Sequence, residues 1–356
     1  MMENMKLLNA VRGSLIGGAA GDALGYAVEF MREESIFHDY GKSGITSYDL
    51  DFGNGKGKIS DDTQMTLFTA EGLLQARADS SVSLKHHIAK AYQNWRLTQI
   101  SSYWTSMVQI KTSGSRLLQE EQLFARRAPG STCMNALQAA SHSASQPDDY
   151  IAQPRNDSKG CGGVMRVAPI ALDPVLRSRL TIEQIDMEAA QAAAITHGHS
   201  LGYMPAAMLC HIISRTVFPE GEQKELKDIV IEARDATSEL FRGDKHLGEL
   251  VELVNDAIAL SENETSDLDN IHWLGEGWVA EETLAIAIYC ALRYQNDFSK
   301  GIIAAVNHDG DSDSTGAVTG NILGALIGYD AIEEKWKTNL ELHDLIIEMA
   351  DSICKS

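Results

Sequence analysis

The chain has 356 residues, 44% of them apolar and 22% charged, and 30 basic against 50 acidic side chains leave a net charge of −20 at pH 7. That is too hydrophobic for a disordered chain, and no cluster of four Lys or Arg supplies the basic face that a nucleic-acid partner needs. Five widely spaced cysteines (Cys133, Cys161, Cys210, Cys290 and Cys354) with no CxxC point to reduced thiols and a cytoplasmic location.

Helical periodicity dominates and β-branched alternation is rare. In chain order the pattern predicts helices near 5–20, 62–78, 83–97, 131–144, 162–172, 181–196, 199–217, 222–241, 247–260, 279–295, 298–307, 315–330 and 339–353. Residues 44–52 make the best short strand. Glycine-rich loops fall at 31–61, 145–163 and 308–316, and 261–277 reads as a polar surface excursion. Glu3, Arg12 and Asp22 interrupt the first apolar run, against a signal peptide, and no uncharged apolar run is long enough for a membrane span. No repeat of solenoid length is visible. The expectation is an all-α chain forming a single domain over 1–356. With no heptad seam or exposed apolar stripe in view, it is expected to be a monomer.

Two predicted helices carry a glycine at every fourth position: Gly13, Gly17, Gly21 and Gly25 in the first, Gly316, Gly320, Gly324 and Gly328 in the second. That spacing puts each set on one stripe. A helical glycine costs about 1 kcal/mol against Ala, so eight of them need a reason. Close approach of two helices is one; packing of each stripe against some bulky neighbour is the other.

Ser60-Asp61-Asp62-Thr63-Gln64-Met65 opens an apolar helix. Ser60 or Asp61 suits an N-cap and the acids suit the helix dipole. The second acidic segment is His308-Asp309-Gly310-Asp311-Ser312-Asp313-Ser314-Thr315-Gly316, with acids at alternate positions before a helix. An EF-hand fails, because Ser314 stands where its glycine should be and Gly320 where its glutamate should be. A magnesium or manganese site built from Asp311, Asp313 and Ser314 survives that test. If the two segments converge, Ser60, Asp61, Asp62, Asp311, Asp313 and Ser314 surround one point. Carboxylates crowded there need cations, and two divalent ions sharing a bridging carboxylate would neutralise them. Asp22 falls inside an apolar glycine-rich run, where an acid must be paired or hydrogen-bonded. It could cap a neighbour's backbone; Glu29 lies seven residues on.

The loop Asn156-Asp157-Ser158-Lys159-Gly160-Cys161-Gly162-Gly163-Val164-Met165-Arg166 is neither a Walker A nor a Rossmann turn. Its glycines before a helix suit an anion such as phosphate. Arg166 reads either as part of that site or as an internal salt-bridge residue. His197, His199 and His211 would make a zinc site only by converging. A histidine contacting a substrate hydroxyl or phosphate fits the pattern better.

Taken together, these motifs resemble the ADP-ribosylglycohydrolase family, which includes the dinitrogenase-reductase-activating glycohydrolases. The resemblance rests on Gly21-Asp22-Ala23-Leu24-Gly25 with Glu29, on residues 60–65, on Gly160 to Arg166, on Thr196-His197 and on Gly310 to Gly316, in the family's order. It implies an all-α fold with a binuclear magnesium centre and hydrolysis of an ADP-ribose N- or O-glycosidic bond on a modified protein. By the same resemblance the metal ligands are Ser60, Asp61, Asp62, Asp311, Asp313 and Ser314. The phosphate loop is 158–163, with Ser158, Gly160, Cys161, Gly162 and Gly163, and His197 is the ligand-contacting histidine. Asp22 joins the substrate-binding set. One departure stands out: an acidic Asp-Ile-Gly segment of some members corresponds here to Gln109-Ile110-Lys111-Thr112-Ser113-Gly114, without its carboxylate.

The expected reaction passes through an oxocarbenium-like state that nearby negative charge stabilises. Glu29, or one of the ligand acids Asp62 and Asp313, would deprotonate the attacking water. Arginine-linked ADP-ribose is the first choice of substrate. A second reading, of a different class, is an immunity protein that neutralises an ADP-ribosyltransferase toxin by contact, for which the −20 charge would suit a basic partner surface.

Overall fold

A computed structural model of the chain describes residues 2–143, 154 and 156–355. The first part of the predicted loop 145–163, namely 145–153 and 155, lies outside the described residues. The helices are α1 (Met2–Gly25), α2 (Glu33–Tyr40), α3 (Asp61–Ala78), α4 (Leu84–Ile100), α5 (Met107–Ser113), α6 (Ser131–Ser143), α7 (Ala168–Ala171), α8 (Pro174–Arg179) and α9 (Ile182–Ala193). They continue with α10 (Ser200–Val217), α11 (Leu226–Leu240), α12 (Leu247–Leu260), α13 (Asp267–Leu274), α14 (Ala280–Arg293), α15 (Phe298–Val306), α16 (Ser312–Ile327), α17 (Glu334–Lys337) and α18 (His343–Cys354). Among the described residues there is no strand, only two isolated bridges, Gly57 with Leu340 and Gly160 with Val279. The fold is all-α, and one hydrophobic core runs from Val11 to Ile353. All five cysteines are free. No described helix is long and apolar enough to cross a membrane.

The glycine stripes meet each other. A Cβ on Gly17 would lie 2.3 Å from the Gly320 carbonyl oxygen, one on Gly21 1.9 Å from that of Gly316, and one on Gly13 2.2 Å from that of Gly324. α1 and α16 therefore run antiparallel with their backbones in contact, at the centre of the molecule. This settles the two readings in favour of close approach. It also has a consequence for position. Gly25, at the end of α1, faces Ser312, at the start of α16, so the end of one helix is locked beside the acidic start of the other. Ser14 and Asn321 fasten the pair: Ser14 Oγ donates to Asn321 O (3.0 Å) and Asn321 Nδ2 donates to Ser14 O (2.8 Å).

The structure corrects several expected boundaries. The helix expected over 162–172 is broken into a 3₁₀ turn at Cys161–Gly163 and the short α7. Gly162 and Gly163 are weak helix formers, and Pro169 starts a helix better than it continues one. Residues 44–52 form no strand. The N–H and C=O of Ile45 are bonded instead by the side-chain amide of Asn307 (2.7 and 3.0 Å), and Tyr48 Oη reaches Trp336 O (2.8 Å). The stretch 261–277 contains α13, whose Ile271 and Leu274 are buried. α2, α5, α8 and α17 are also additions. α2 shows why such short helices escape a periodicity argument, since its Glu33 N–H donates to the side chain of Asp309, a tertiary contact (2.6 Å).

Candidate active site

α3 begins where α1 ends because Asp22 holds it there. Fully buried in the last turns of α1, Asp22 accepts from Ser60 N (2.9 Å), Thr63 N (3.1 Å) and Thr63 Oγ. Ser60 is the N-cap of α3 and accepts from Asp62 N (3.1 Å). Both oxygens of Asp22 are thus spent on backbone and hydroxyl donors, and its role is to position α3. That is the capping alternative expected for Asp22.

Ser60 is clamped from outside as well. Arg127 donates to Ile59 O (3.2 Å), its own carbonyl accepts from Asp61 N (3.0 Å), and its guanidinium is paired with Glu341 (2.6 Å), which also accepts from Ile59 N (3.1 Å). Gln64 braces the same wall, donating to Ala125 O (3.2 Å) and accepting from Trp95 and Gln99. No motif marks Arg127 or Glu341 in the sequence; their relation to Ser60 exists only in three dimensions.

The two acidic segments converge. Ser314 Oγ donates to both oxygens of Asp62 (3.0 and 2.9 Å). Carboxylate oxygens of Glu29, Asp311 and Asp313 lie within 4.8 Å of one another. Cys161 Sγ donates to Asp311 Oδ2 (2.7 Å), which joins the glycine loop to the acidic loop. Ser60, Asp61, Asp62, Asp311, Asp313, Ser314 and Glu29 are all buried. Asp309 stays apart from them, with its carboxylate on Glu33 N and Arg32.

Buried acids without counter-ions hold their protons. Burial first, and then repulsion from Asp313, lifts Asp61 and Asp62 well above the usual carboxylate range; burial and Asp311 do the same to Asp313. Glu29 is pushed up to about 11 by burial and then by Asp313, and Asp22 to about 7 by the same two causes. Glu29 Oε2 has no hydrogen-bond partner among the described residues. An all-oxygen donor set with an unpartnered carboxylate suits a hard divalent cation, which would displace those protons.

The glycine loop lies alongside. Asn156 Oδ1 accepts from Ser158 N (3.1 Å) and Gly198 N (3.0 Å), folding the loop against the start of α10. Gly160 N donates to Ser158 Oγ (3.3 Å), and Cys161 N to Trp278 O (3.2 Å). His197 packs beneath: a Cβ on Gly162 would come within 3.1 Å of its ring. The ring is 1% exposed and supports the loop from below, beside a cavity of about 590 Å³ that it lines with Asn156 and Gly198. Burial, then Arg166, lowers its pKa to about 3, so it is neutral. Arg166 is internal but has no carboxylate partner among the described residues. It donates to Ala192 O (3.1 Å) at the negative end of α9 and to Thr196 Oγ (2.7 Å), and lies over the Tyr92 ring at 4.2 Å. The histidines do not converge: His197 Nδ1 faces Thr196 Oγ, His199 Nδ1 caps Leu201 N and His211 Nδ1 faces Asp186. In the segment 109–114, Ile110 is buried while Gln109 and Lys111 face outward on α5.

The ADP-ribosylglycohydrolase family profile matches residues 3–356. The chain belongs to the ADP-ribosylglycohydrolase family. It is 24% identical to the ADP-ribosylhydrolase ARH3 of Mus musculus, over 94% of this chain and 88% of that protein. It is 23% identical to the ADP-ribosylarginine hydrolase Tri1 of Serratia proteamaculans, over 97% of this chain and 79% of that one. A solved structure of an ADP-ribosylglycohydrolase-related protein complex superposes with a TM-score of 0.66 over 98% of both chains at 23% identity, which shows the shared fold. The acid-rich centre of this glycohydrolase fold lies where α1, α3 and α16 meet, next to the glycine loop.

Proposed function

We propose that the protein hydrolyses ADP-ribose from modified protein side chains, arginine-linked in the first place, at a centre that takes two magnesium ions. The observation that carries this reading is the convergence of six oxygen-bearing side chains from two helix starts beside the unpartnered Glu29. Ser60, Asp61, Asp62, Asp311, Asp313 and Ser314 would hold the ions, and manganese suits the same donors. When bound, they supply Lewis-acid polarisation and charge neutralisation.

The chain's own residues do the rest. Ser158, Gly160, Cys161, Gly162 and Gly163 would carry the pyrophosphate on the loop, whose shape Asn156 and His197 support. The distal ribose then faces the carboxylates. Their negative charge stabilises an oxocarbenium-like centre as the glycosidic bond breaks. With cations bound to offset the repulsion from Asp313 and Asp311, ionised Glu29 is favoured and is then the acid best placed to take a proton from water, since its Oε2 has no hydrogen-bond partner among the described residues. Asp62 and Asp313 are the alternatives. Among the relatives, the name of Tri1 specifies an arginine linkage, which supports that choice of substrate.

The deciding experiment is release of free ADP-ribose from an arginine-ADP-ribosylated protein, with magnesium and with a chelator. Release that requires magnesium is expected. Magnesium-independent release, or none from either arginine- or serine-linked substrate, would refute the proposal.

A further inference from the structure

We propose that Phe30, Trp278 and Glu276 seat the modified side chain itself, and that this seat takes a planar cation, a guanidinium. The inference rests on the ADP-ribosyl hydrolase reading above and adds the residues that select the linkage.

Residues 275–279 form a strap between the two halves of the site. On one side Cys161 N donates to Trp278 O (3.2 Å) and Ala280 N to Lys159 O (2.8 Å). On the other, Asp311 N donates to Glu276 O (2.9 Å), and a Cβ on Gly310 would come within 1.9 Å of that same oxygen. Trp278 therefore stands at the junction of the glycine loop and the acidic loop. Its ring stacks on Phe30, with centroids 6.2 Å apart and planes 23° from parallel. Phe30 directly follows Glu29 in the chain. The aromatic pair thus borders the outer side of the carboxylate centre.

Both rings face solvent: Phe30 is 73% exposed and Trp278 40%. Two adjacent exposed aromatics beside a buried acid site form an apolar patch of the kind that lines a ligand-binding groove. The cleft there measures about 230 Å³ and is lined by Glu29, Phe30, Arg32, Glu276, Trp278 and Asp309 among others. Arg32 is matched by Asp309 at 3.3 Å. Among the described residues Glu276 has no cationic partner and Glu29 Oε2 has no hydrogen-bond partner. The cleft is left with aromatic faces and the carboxylate of Glu276 without a cation. That combination recognises a guanidinium, whose flat cation stacks on a ring face while its N–H groups meet a carboxylate. A small neutral hydroxyl leaving group would gain nothing from it.

The test uses the full-length protein with magnesium, an ADP-ribosylated arginine peptide, an ADP-ribosylated serine peptide and free ADP-ribose. Trp278→Ala and Phe30→Ala are each expected to raise KM for the arginine peptide about fivefold. The turnover number should stay within about twofold, as for loss of ground-state binding alone. Trp278→Phe should restore KM, which separates a lost ring face from a damaged fold. Affinity for free ADP-ribose, which lacks the side chain, should not change. An unchanged KM, or an equal loss of free ADP-ribose affinity, overturns the seat. So does a wild type that releases ADP-ribose from serine but not from arginine. A wild type that releases it from neither refutes the hydrolase reading instead, and is recognised before any variant is made.

Discussion

Ser314 Oγ donates to both carboxylate oxygens of Asp62, from the first turn of a helix that begins 250 residues later in the chain. This contact ties the starts of α3 and α16 together and brings the two acidic segments to one point. Replacing Asp62 with Asn is expected to lower magnesium-dependent turnover by about 100-fold or more, and Ser314→Ala to weaken magnesium affinity by about tenfold. Without magnesium, Asp62→Asn should melt no lower than wild type, because burial and the neighbouring acids already favour the neutral form of Asp62 there, and a neutral amide of the same size replaces it. Calorimetric magnesium titration and melting curves with and without a chelator measure both. Full magnesium affinity in Asp62→Asn would exclude Asp62 as a ligand.

The contact of α1 with α16 makes a sharp contrast between glycines. Gly17→Ala places a Cβ 2.3 Å from a backbone oxygen that cannot swing away. The expected cost is at least about 3 kcal/mol, despite the better helix propensity of Ala. Gly248 lies in α12 with nothing within 4 Å of a built Cβ. There the same change should stabilise by about 1 kcal/mol. Urea denaturation of the two variants decides it, and equal effects would rule out the close contact.

His197 offers a pH dependence of defined sign. The unfolded ring takes up a proton near its ordinary value of about 6.5, whereas the native ring does so only near 3. Between these values the unfolded state binds more protons, so this ring's contribution to stability is present above about 6.5 and is lost as pH falls toward 3. By pH 4 the loss amounts to roughly 3 kcal/mol. The difference in unfolding free energy between pH 7 and pH 4 should therefore be smaller by that order in His197→Gln than in wild type. Parallel pH profiles would mean that the native ring titrates normally.

The clamp on Ser60 predicts an effect at a distance from the reacting atoms. Glu341→Ala leaves Arg127 in a largely buried position without its partner, and a break of this kind costs about 3 kcal/mol. It also frees Ile59 N and loosens the turn carrying Ser60 and Asp61. Magnesium affinity should fall even though Glu341 contacts no ligand atom. Glu341→Gln, which keeps an acceptor for Ile59 N, should recover part of that affinity. A variant that loses stability but keeps wild-type magnesium affinity would restrict the pair to a structural role.

Much of the candidate site was legible in the order of residues because its acidic and hydroxyl side chains sit in contiguous runs. Ser60-Asp61-Asp62 and Asp311 to Ser314 advertise oxygen chemistry at helix starts. The four-residue spacing of the glycines shows that two helices need small faces, since a helix stripe is a local property. The helical character of the chain follows from periodicity in the same way. Tertiary structure decided which partners those local features find. It set stripe against stripe, turned Asp22 into the cap that holds α3, sank His197 beneath its loop, satisfied Ile45 with Asn307 where a strand was expected, and brought Arg127, Glu341 and Trp278 around a centre far from them in the chain. Hydrogen bonds and burial act between residues that are close in space whatever their separation in sequence. Periodicity reports only what repeats within a few residues.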